Sequence, residues 1–343
     1  ESTSALNFSS YGYPFKTTPW LNSQKKKKQF IHFSNVYAKH TATTPSLIDS
    51  FSVCQKTNIN ECTNLNLKDL NFFPVVHIFE KNLINTHLFS TQGALGGHNL
   101  ANKVVLDTKN KNFSGTEETK FLGNRTSTDI KDKDYFTNSY CVDKKIFNNN
   151  SQDVVFLHSY AGHGFYDGYI GHTDKKNFKL IQEYDTAIQY IDETLKEVIE
   201  CSLKESKKTN KPLIFIYFSD HGESPATSRG HDSSRLTYEM LHVPFFIYFN
   251  DSAYLEHKEK FEFLNRLSEK NLSLKIVSEI FIYLFDIEIY KKNNPTKNLK
   301  EDALDNYKTE FVLPRKDLNG KISNIPTFFN MLEQNENLTD FLK

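Results

Sequence analysis

The sequence predicts a layered α/β fold, and three observations predict it. Short apolar, β-branched or aromatic runs recur along the chain, amphipathic stretches of helical period lie between them, and no unit of roughly 20 to 50 residues repeats. The expected strands are Phe30 to Val36, Phe73 to Phe79, Asp153 to His158, Leu213 to Ser219 and Val243 to Phe249, which read as mostly buried. The clearest helix runs from Tyr184 to Lys204, where Ile188, Ile191, Leu195, Val198 and Ile199 form one stripe opposite charges. That stripe is core, not a cofactor-binding surface. A second helix, Leu272 to Phe285, carries Leu274, Ile276, Val277, Ile280 and Leu284 and should cover the sheet. Residues 107–150 are polar and aperiodic and read as a surface excursion within a single domain spanning 1–343.

Composition narrows the function. With 38% hydrophobic and 14% aromatic residues the chain is neither disordered nor fibrous. Lys+Arg 42 balances Asp+Glu 42, and only five of the basic residues are Arg (125, 229, 235, 266, 315), which excludes a general nucleic-acid binder. No stretch approaches the roughly 18 to 20 apolar residues of a membrane span; the nearest, Ile276 to Ile287, is broken by Glu279 and Asp286. The first residues lack the layout of a secretion signal. Cys54, Cys62, Cys141 and Cys201 form no C-x-x-C pair, so a thiolate zinc site is not expected. They leave one disulfide, two disulfides or four thiols open. Lys25 to Lys28 reads either as a solvated face or as contact with an anionic membrane surface.

The chemistry gathers where expected strands end. Ser219-Asp220-His221-Gly222-Glu223-Ser224 follows an apolar strand. Adjacent Asp and His offer a hard oxygen and an imidazole nitrogen to one divalent cation at a strand's carboxyl end, with Gly freeing the turn. Around Thr41-Ala42-Thr43-Thr44-Pro45-Ser46, hydroxyls crowd an expected helix start, where backbone N–H groups and the dipole suit a phosphate. A hydroxyl beside a dication loses its proton far more readily and becomes a usable nucleophile; simple N-capping by Thr or Ser is the plainer role. His158 and His163, Gly230-His231-Asp232 and Glu1 are weaker signals that gain weight by grouping.

These motifs resemble, in order, those of the phosphoethanolamine transferases of the sulfatase-like, alkaline-phosphatase superfamily. The resemblance rests on Glu1-Ser2-Thr3, Tyr11-Gly12-Tyr13-Pro14, Thr17-Thr18-Pro19, Asn35-Val36, Thr41-Ala42-Thr43, Leu157-His158, Gly162-His163-Gly164 and Ser219-Asp220-His221-Gly222-Glu223-Ser224. It implies an α/β/α sandwich around a mostly parallel mixed sheet. It also implies a zinc ion on Glu1, Thr43, Asp220 and His221, with room for a second, and Thr43 as the nucleophile that becomes phosphothreonine, Thr41 and Thr44 being its rivals. His163 and His231 would bind the transferred phosphate or a second zinc; Glu223 would move protons; His158 and Gln92 fall at supporting and donor-loop positions. The family's phosphatidylethanolamine donor, lipopolysaccharide or other envelope acceptor, inner-membrane anchor and periplasmic location in Gram-negative bacteria follow as expectations. The chain is then expected to be a monomeric piece lacking an N-terminal transmembrane part.

Departures from the family are local. Lys39 and Asp49 stand where the lipid A enzymes carry cysteines flanking the nucleophile, and Tyr11-Gly12-Tyr13-Pro14 looks more like the branch acting on core-sugar phosphates. Sulfate-ester hydrolysis is disfavoured, because Thr43-Thr44-Pro45-Ser46-Leu47 lacks the C/S-x-P-x-R pattern. Phosphodiesterase, phosphomonoesterase or phosphoglycerol transferase chemistry would use nearly the same site. A non-catalytic envelope-binding domain would instead be expected to have lost ligands.

Overall fold

The computed structural model describes residues 2–54, 72–92, 105–113, 132–147, 151–163, 166, 180–225, 230–232 and 237–287, with four short strands beyond them. In chain order these carry α1 (Pro19–Gln24), β1 (Phe30–Phe33), β2 (Val36–Tyr37), α2 (Thr43–Ser50), β3 (Ser52–Cys54), β4 (Phe72–Pro74), α3 (Val75–Lys81), β5 (Asn85–Ser90), β6 (Asn110–Phe113), α4 (Asp132–Ser139) and α5 (Lys144–Phe147). They continue through β7 (Asp153–His158), α6 (Leu180–Thr209), β8 (Ile214–Phe218), β9 (Phe245–Phe249), α7 (Asp251–Glu256), α8 (Lys258–Leu267), β10 (Leu272–Ser273) and α9 (Ile276–Leu284).

Strand β9, Phe-Phe-Ile-Tyr-Phe, has no polar face and is buried throughout. It lies between β1 and β8, antiparallel to both, with Phe33, Phe245 and Phe218 in one register row. A second sheet sets β5 between β6 and β7 with all strands parallel, so Ser90 and His158 end side by side. Strand β2 pairs in parallel with β10. One core joins the sheets: the Phe51 ring meets Phe156 at 5.3 Å, Phe218 at 5.6 Å and Phe281 of α9 at 6.1 Å. The mixed α/β layering expected from the sequence is therefore present.

Strand β7 falls where the sequence places it, and α6 extends the expected helix at both ends. Three expectations need correction. Phe30 to Val36 is a strand only as far as Phe33; Val36 opens the separate strand β2, which pairs with β10 instead of β9. Phe73 to Phe79 is a strand only as far as Pro74; Val75, Val76 and Phe79 are then buried while His77 and Glu80 are exposed, the spacing of a helix. Leu272 to Phe285 opens with the two-residue strand β10 and becomes helical at Ile276. Strand β5 went unpredicted because its first half is polar. Asn85 and His87 spend that polarity on Asp153, and Thr86 donates to Glu80 at 2.7 Å.

The 107–150 stretch supplies β6, α4 and α5. A disulfide between Cys141 and Cys201, 60 residues apart, ties it to α6 and settles one pairing left open by the sequence. A loop of that size is worth about 4 kcal/mol in the chain-entropy account. Asp192 of α6 accepts N–H bonds from Trp20 (2.8 Å) and Leu21 (3.0 Å) and so anchors the start of α1.

His32 and His242 are held neutral. Burial pushes His242 down to about 4 despite its bond to the Ser34 carbonyl, and burial with nearby Lys25 pushes His32 down to about 3. The unfolded chain therefore binds protons that the folded chain refuses. Stability should be full above about pH 6.5 and fall on acidification, by about 1.4 kcal/mol per pH unit per histidine, down to each folded value. Chemical denaturation of His242→Gln between pH 4 and 7 should give a shallower acid slope than wild type; an unchanged slope would remove His242 from the account.

Candidate functional site

Strand β8 delivers Ser219, Asp220 and His221, all buried, to the end of the sheet. The segment that starts at Ser2 is stitched across this end. Ser2 N–H donates to Asp220 Oδ1 at 3.1 Å, Thr3 N–H to Ser219 Oγ at 2.9 Å, and Ala5 N–H to the His242 carbonyl at 2.9 Å. The buried Tyr184 hydroxyl takes the Ser4 N–H and donates to the Ser2 carbonyl, each at 2.9 Å. Ser2 adopts a left-handed φ of 48°, a strain that these bonds hold in place. Glu1 itself lies outside the described residues.

His221 Nδ1 lies 2.9 Å from the Gly222 carbonyl. A carbonyl only accepts, so Nδ1 carries the proton and the Nε2 lone pair points the other way, 3.5 Å from Asp220 Oδ2. Two tetrahedral ligands of a zinc ion, with bonds of about 2.0 to 2.2 Å, sit about 3.4 Å apart. The pair therefore fits a shared zinc, and the Gly222 carbonyl supplies the orienting bond that such histidines use. Among the described residues no cluster of three or more His, Cys, Asp and Glu that could hold a metal ion gathers.

Three more expected residues converge here. His231 Nδ1 lies 3.1 Å from Glu223 Oε2, and the His231 ring is 4.8 Å from His221 and 5.4 Å from His163. The His163 ring in turn packs on Tyr160 at 4.9 Å. Ser224 N–H bonds the Gly230 carbonyl at 2.9 Å, which folds His231 back onto Glu223. Gly222 is forced by space, since a Cβ there would sit 1.9 Å from the Glu239 carbonyl oxygen; Gly230 is favoured by its positive φ of 56°, a Cβ there meeting only the carboxylate end of Glu223.

Thr43 is buried at the first position of α2, behind Ala42, which has no side-chain oxygen to cap the helix, so N-capping does not explain the hydroxyl cluster. The loop before it leaves the same neighbourhood: Ala38 N–H bonds the Leu241 carbonyl and Gly222 N–H the adjoining Met240 carbonyl, each at 2.8 Å. Lys39 and Asp49 brace this loop and α2 as a buried pair at 3.9 Å. Burial and the Lys39 charge push His40 between them below the usual imidazole range, against the pull of Asp49. His158 ends β7 with its carbonyl on the Thr91 N–H, and the Gln92 amide donates to the Ser159 carbonyl at 3.4 Å.

Asp132 was missed by the sequence reading. Fully buried, it receives Thr91 Oγ1, Ser159 Oγ at 2.9 Å and Tyr160 N–H at 2.8 Å, binding the loops after β5 and β7 into one unit that presents Tyr160 and His163. Its only sequence signal was an acid in the first turn of a short helix in a polar stretch.

The family model described as Sulfatase matches residues 1–263, three quarters of the chain. The chain belongs to the sulfatase family. Among its relatives, phosphoethanolamine transferase EptC of Escherichia coli K12 is 22% identical over 286 residues, covering 76% of this chain and 46% of that protein. The chain thus spans about half the length of the curated relatives it matches. This sulfatase-family chain superposes on the zinc complex of the C-terminal periplasmic domain of E. coli EptC with TM-score 0.70 and 19% identity, over 94% of this chain and 90% of that one. It superposes on the soluble domain of lipooligosaccharide phosphoethanolamine transferase A from Neisseria meningitidis with TM-score 0.63 and 19% identity, over 83% and 85%. The fold is that of the alkaline-phosphatase and sulfatase superfamily. No helix among the described residues is long and apolar enough to cross a membrane.

The two crowded glycines give a graded test. Gly222→Ala meets backbone and should cost about 1 to 3 kcal/mol, and Gly230→Ala adds left-handed strain to contact with Glu223. Gly12→Ala, also at positive φ but with nothing within 4 Å, should cost only the strain. Thermal unfolding that ranks Gly12→Ala with Gly222→Ala would contradict the packing described at the site.

Proposed function

We propose that this chain is the catalytic part of a phosphoethanolamine transferase. It moves phosphoethanolamine from phosphatidylethanolamine to a lipopolysaccharide or other cell-envelope acceptor through a phosphothreonine at Thr43. The observation that carries the reading is the 3.5 Å approach of Asp220 Oδ2 to His221 Nε2 beside His163, His231 and Glu223, in a chain whose relatives bear that activity in their names.

Asp220 and His221, with Glu1 and Thr43, are the residues that would hold zinc; a second ion near His163 and His231 is compatible with the same reading. Zinc, when bound, lowers the pKa of a neighbouring hydroxyl and offsets charge on a phosphoryl oxygen. Thr43 Oγ1 attacks phosphorus, an Oγ1–P bond forms, the bond to diacylglycerol breaks, and the departing alkoxide takes a proton. An acceptor hydroxyl or phosphate then attacks the same phosphorus and Thr43 leaves. Glu223 accepts the Nδ1 proton of His231, which leaves Nε2 on the opposite edge of the ring to carry a proton to or from the reacting oxygens. His163, oriented through Tyr160 and Asp132, faces the nonbridging oxygens, and His158 and Gln92 shape the donor side from the ends of β7 and β5. The chain acts in the periplasm, joined to an inner-membrane anchor.

The test is covalent trapping. Incubation with phosphatidylethanolamine and peptide mapping should place phosphoethanolamine on the Thr43 peptide of wild type. Thr43→Ala should carry no adduct while keeping its fold and most of its zinc; a full adduct in Thr43→Ala refutes the nucleophile assignment.

A further inference from the structure

Charge is not spread evenly along this neutral chain. Between Ser2 and Ile48 there is no Asp or Glu, while Lys16, Lys25, Lys26, Lys27, Lys28 and Lys39 fall within that stretch. Lys39 is spent internally on Asp49. The other five pair with no carboxylate among the described residues.

Near these lysines along the chain stand one exposed aromatic ring, Phe15, and two half-buried ones, Tyr13 and Trp20. The turn at 9–18 is strapped onto α1 by Asn22 Nδ2 to Ser9 Oγ and by Thr18 Oγ1 with Ser9 and Ser10, and Lys25 Nζ returns to the Ser10 carbonyl at 2.7 Å. The tip of that turn holds Phe15, 64% exposed, against Tyr13 at 5.5 Å, beside exposed Pro14 and Lys16. Tyr13 OH on Asp185 and Gln189 Nε2 on the Lys16 carbonyl pin the tip to α6. Half-buried Trp20 lies between this tip and Lys25–Lys28, and Lys27 covers the Tyr248 ring at 5.9 Å.

We propose that this flank docks on an anionic phospholipid bilayer, with Phe15 and Trp20 at headgroup depth and Lys16, Lys26, Lys27 and Lys28 on lipid phosphates. Aromatic rings with an apolar body suit the membrane–water boundary, and unpaired lysines suit an anionic leaflet, where each contributes about fivefold to partitioning. The lysine run lies away from the Asp220 centre. The lysine run leads into Phe30, which pairs with Tyr248 and, through it, sits level with Phe215, the strand end remote from Asp220. Docking here is independent of the proposed phosphoryl chemistry.

Trp20 is the sole tryptophan, so it reports on its own surroundings. The whole chain should bind vesicles of mixed phosphatidylcholine and phosphatidylglycerol but not phosphatidylcholine alone. Binding should weaken steeply with salt, and brominated acyl chains should quench Trp20 emission. The variant combining Lys16→Gln, Lys26→Gln and Lys28→Gln should lose at least tenfold in partitioning while unfolding like wild type. Phe15→Ser should weaken binding but keep the salt slope. Equal binding by wild type and the triple variant overturns the proposal, as does binding to a soluble polyanion as tight as to vesicles without lipid quenching.

Discussion

The hydrogen bond from Ser2 N–H to Asp220 Oδ1 joins residues 218 apart in sequence, and the chemistry of the site depends on it. A carboxylate next to a histidine is common on protein surfaces. Here the acid is buried, one oxygen is engaged by backbone and the other is turned toward His221 Nε2. The Tyr184 hydroxyl holds the two peptide units on either side of Thr3, Ser219 Oγ holds Thr3 itself and also reaches the His221 carbonyl, and Gly222 admits the Glu239 carbonyl. Each contact is modest alone, about 1 kcal/mol net, but together they set the angle at which Asp220 Oδ2 and His221 Nε2 meet.

Much of this was legible because the residues involved are locally self-announcing. Asp220-His221-Gly222 follows an all-apolar strand, β7 is bounded by Asp153 and His158 as read, and the α6 stripe has an unbroken period. Illegible features were those whose meaning comes from a distant partner. Strand β5 looks polar until Asp153 and Glu80 are placed beside it, α3 looks like a strand until Phe79 is seen on the face of Val75, and Asp132 has no motif at all. Tyr184 was read near the start of a helix, and its hydroxyl gave no hint of its grip on Ser2 and Ser4.

The loop before Thr43 departs from the pattern that the sequence resembles. Where the resembling lipid A enzymes place cysteines, this chain has Lys39 and Asp49 in a buried ion pair. Both ions lose hydration, so the pair adds little net stability, yet removing either partner leaves the other buried and uncompensated. Such a pair specifies geometry more than it adds strength; burial lowers His40 on the same loop, while the Asp49 charge pulls it up and Lys39 pushes it down.

The account is tested most directly through Tyr184, which touches no proposed ligand and acts only by holding the start of the chain. Zinc affinity should be measured by chelator competition in wild type, Tyr184→Phe and Asp220→Asn, alongside thermal unfolding of the metal-free forms. Loss of the hydroxyl should weaken zinc at least tenfold with the metal-free fold intact, and Asp220→Asn should weaken it further. Wild-type zinc affinity in Tyr184→Phe would contradict the claim that the stitched segment builds the metal centre.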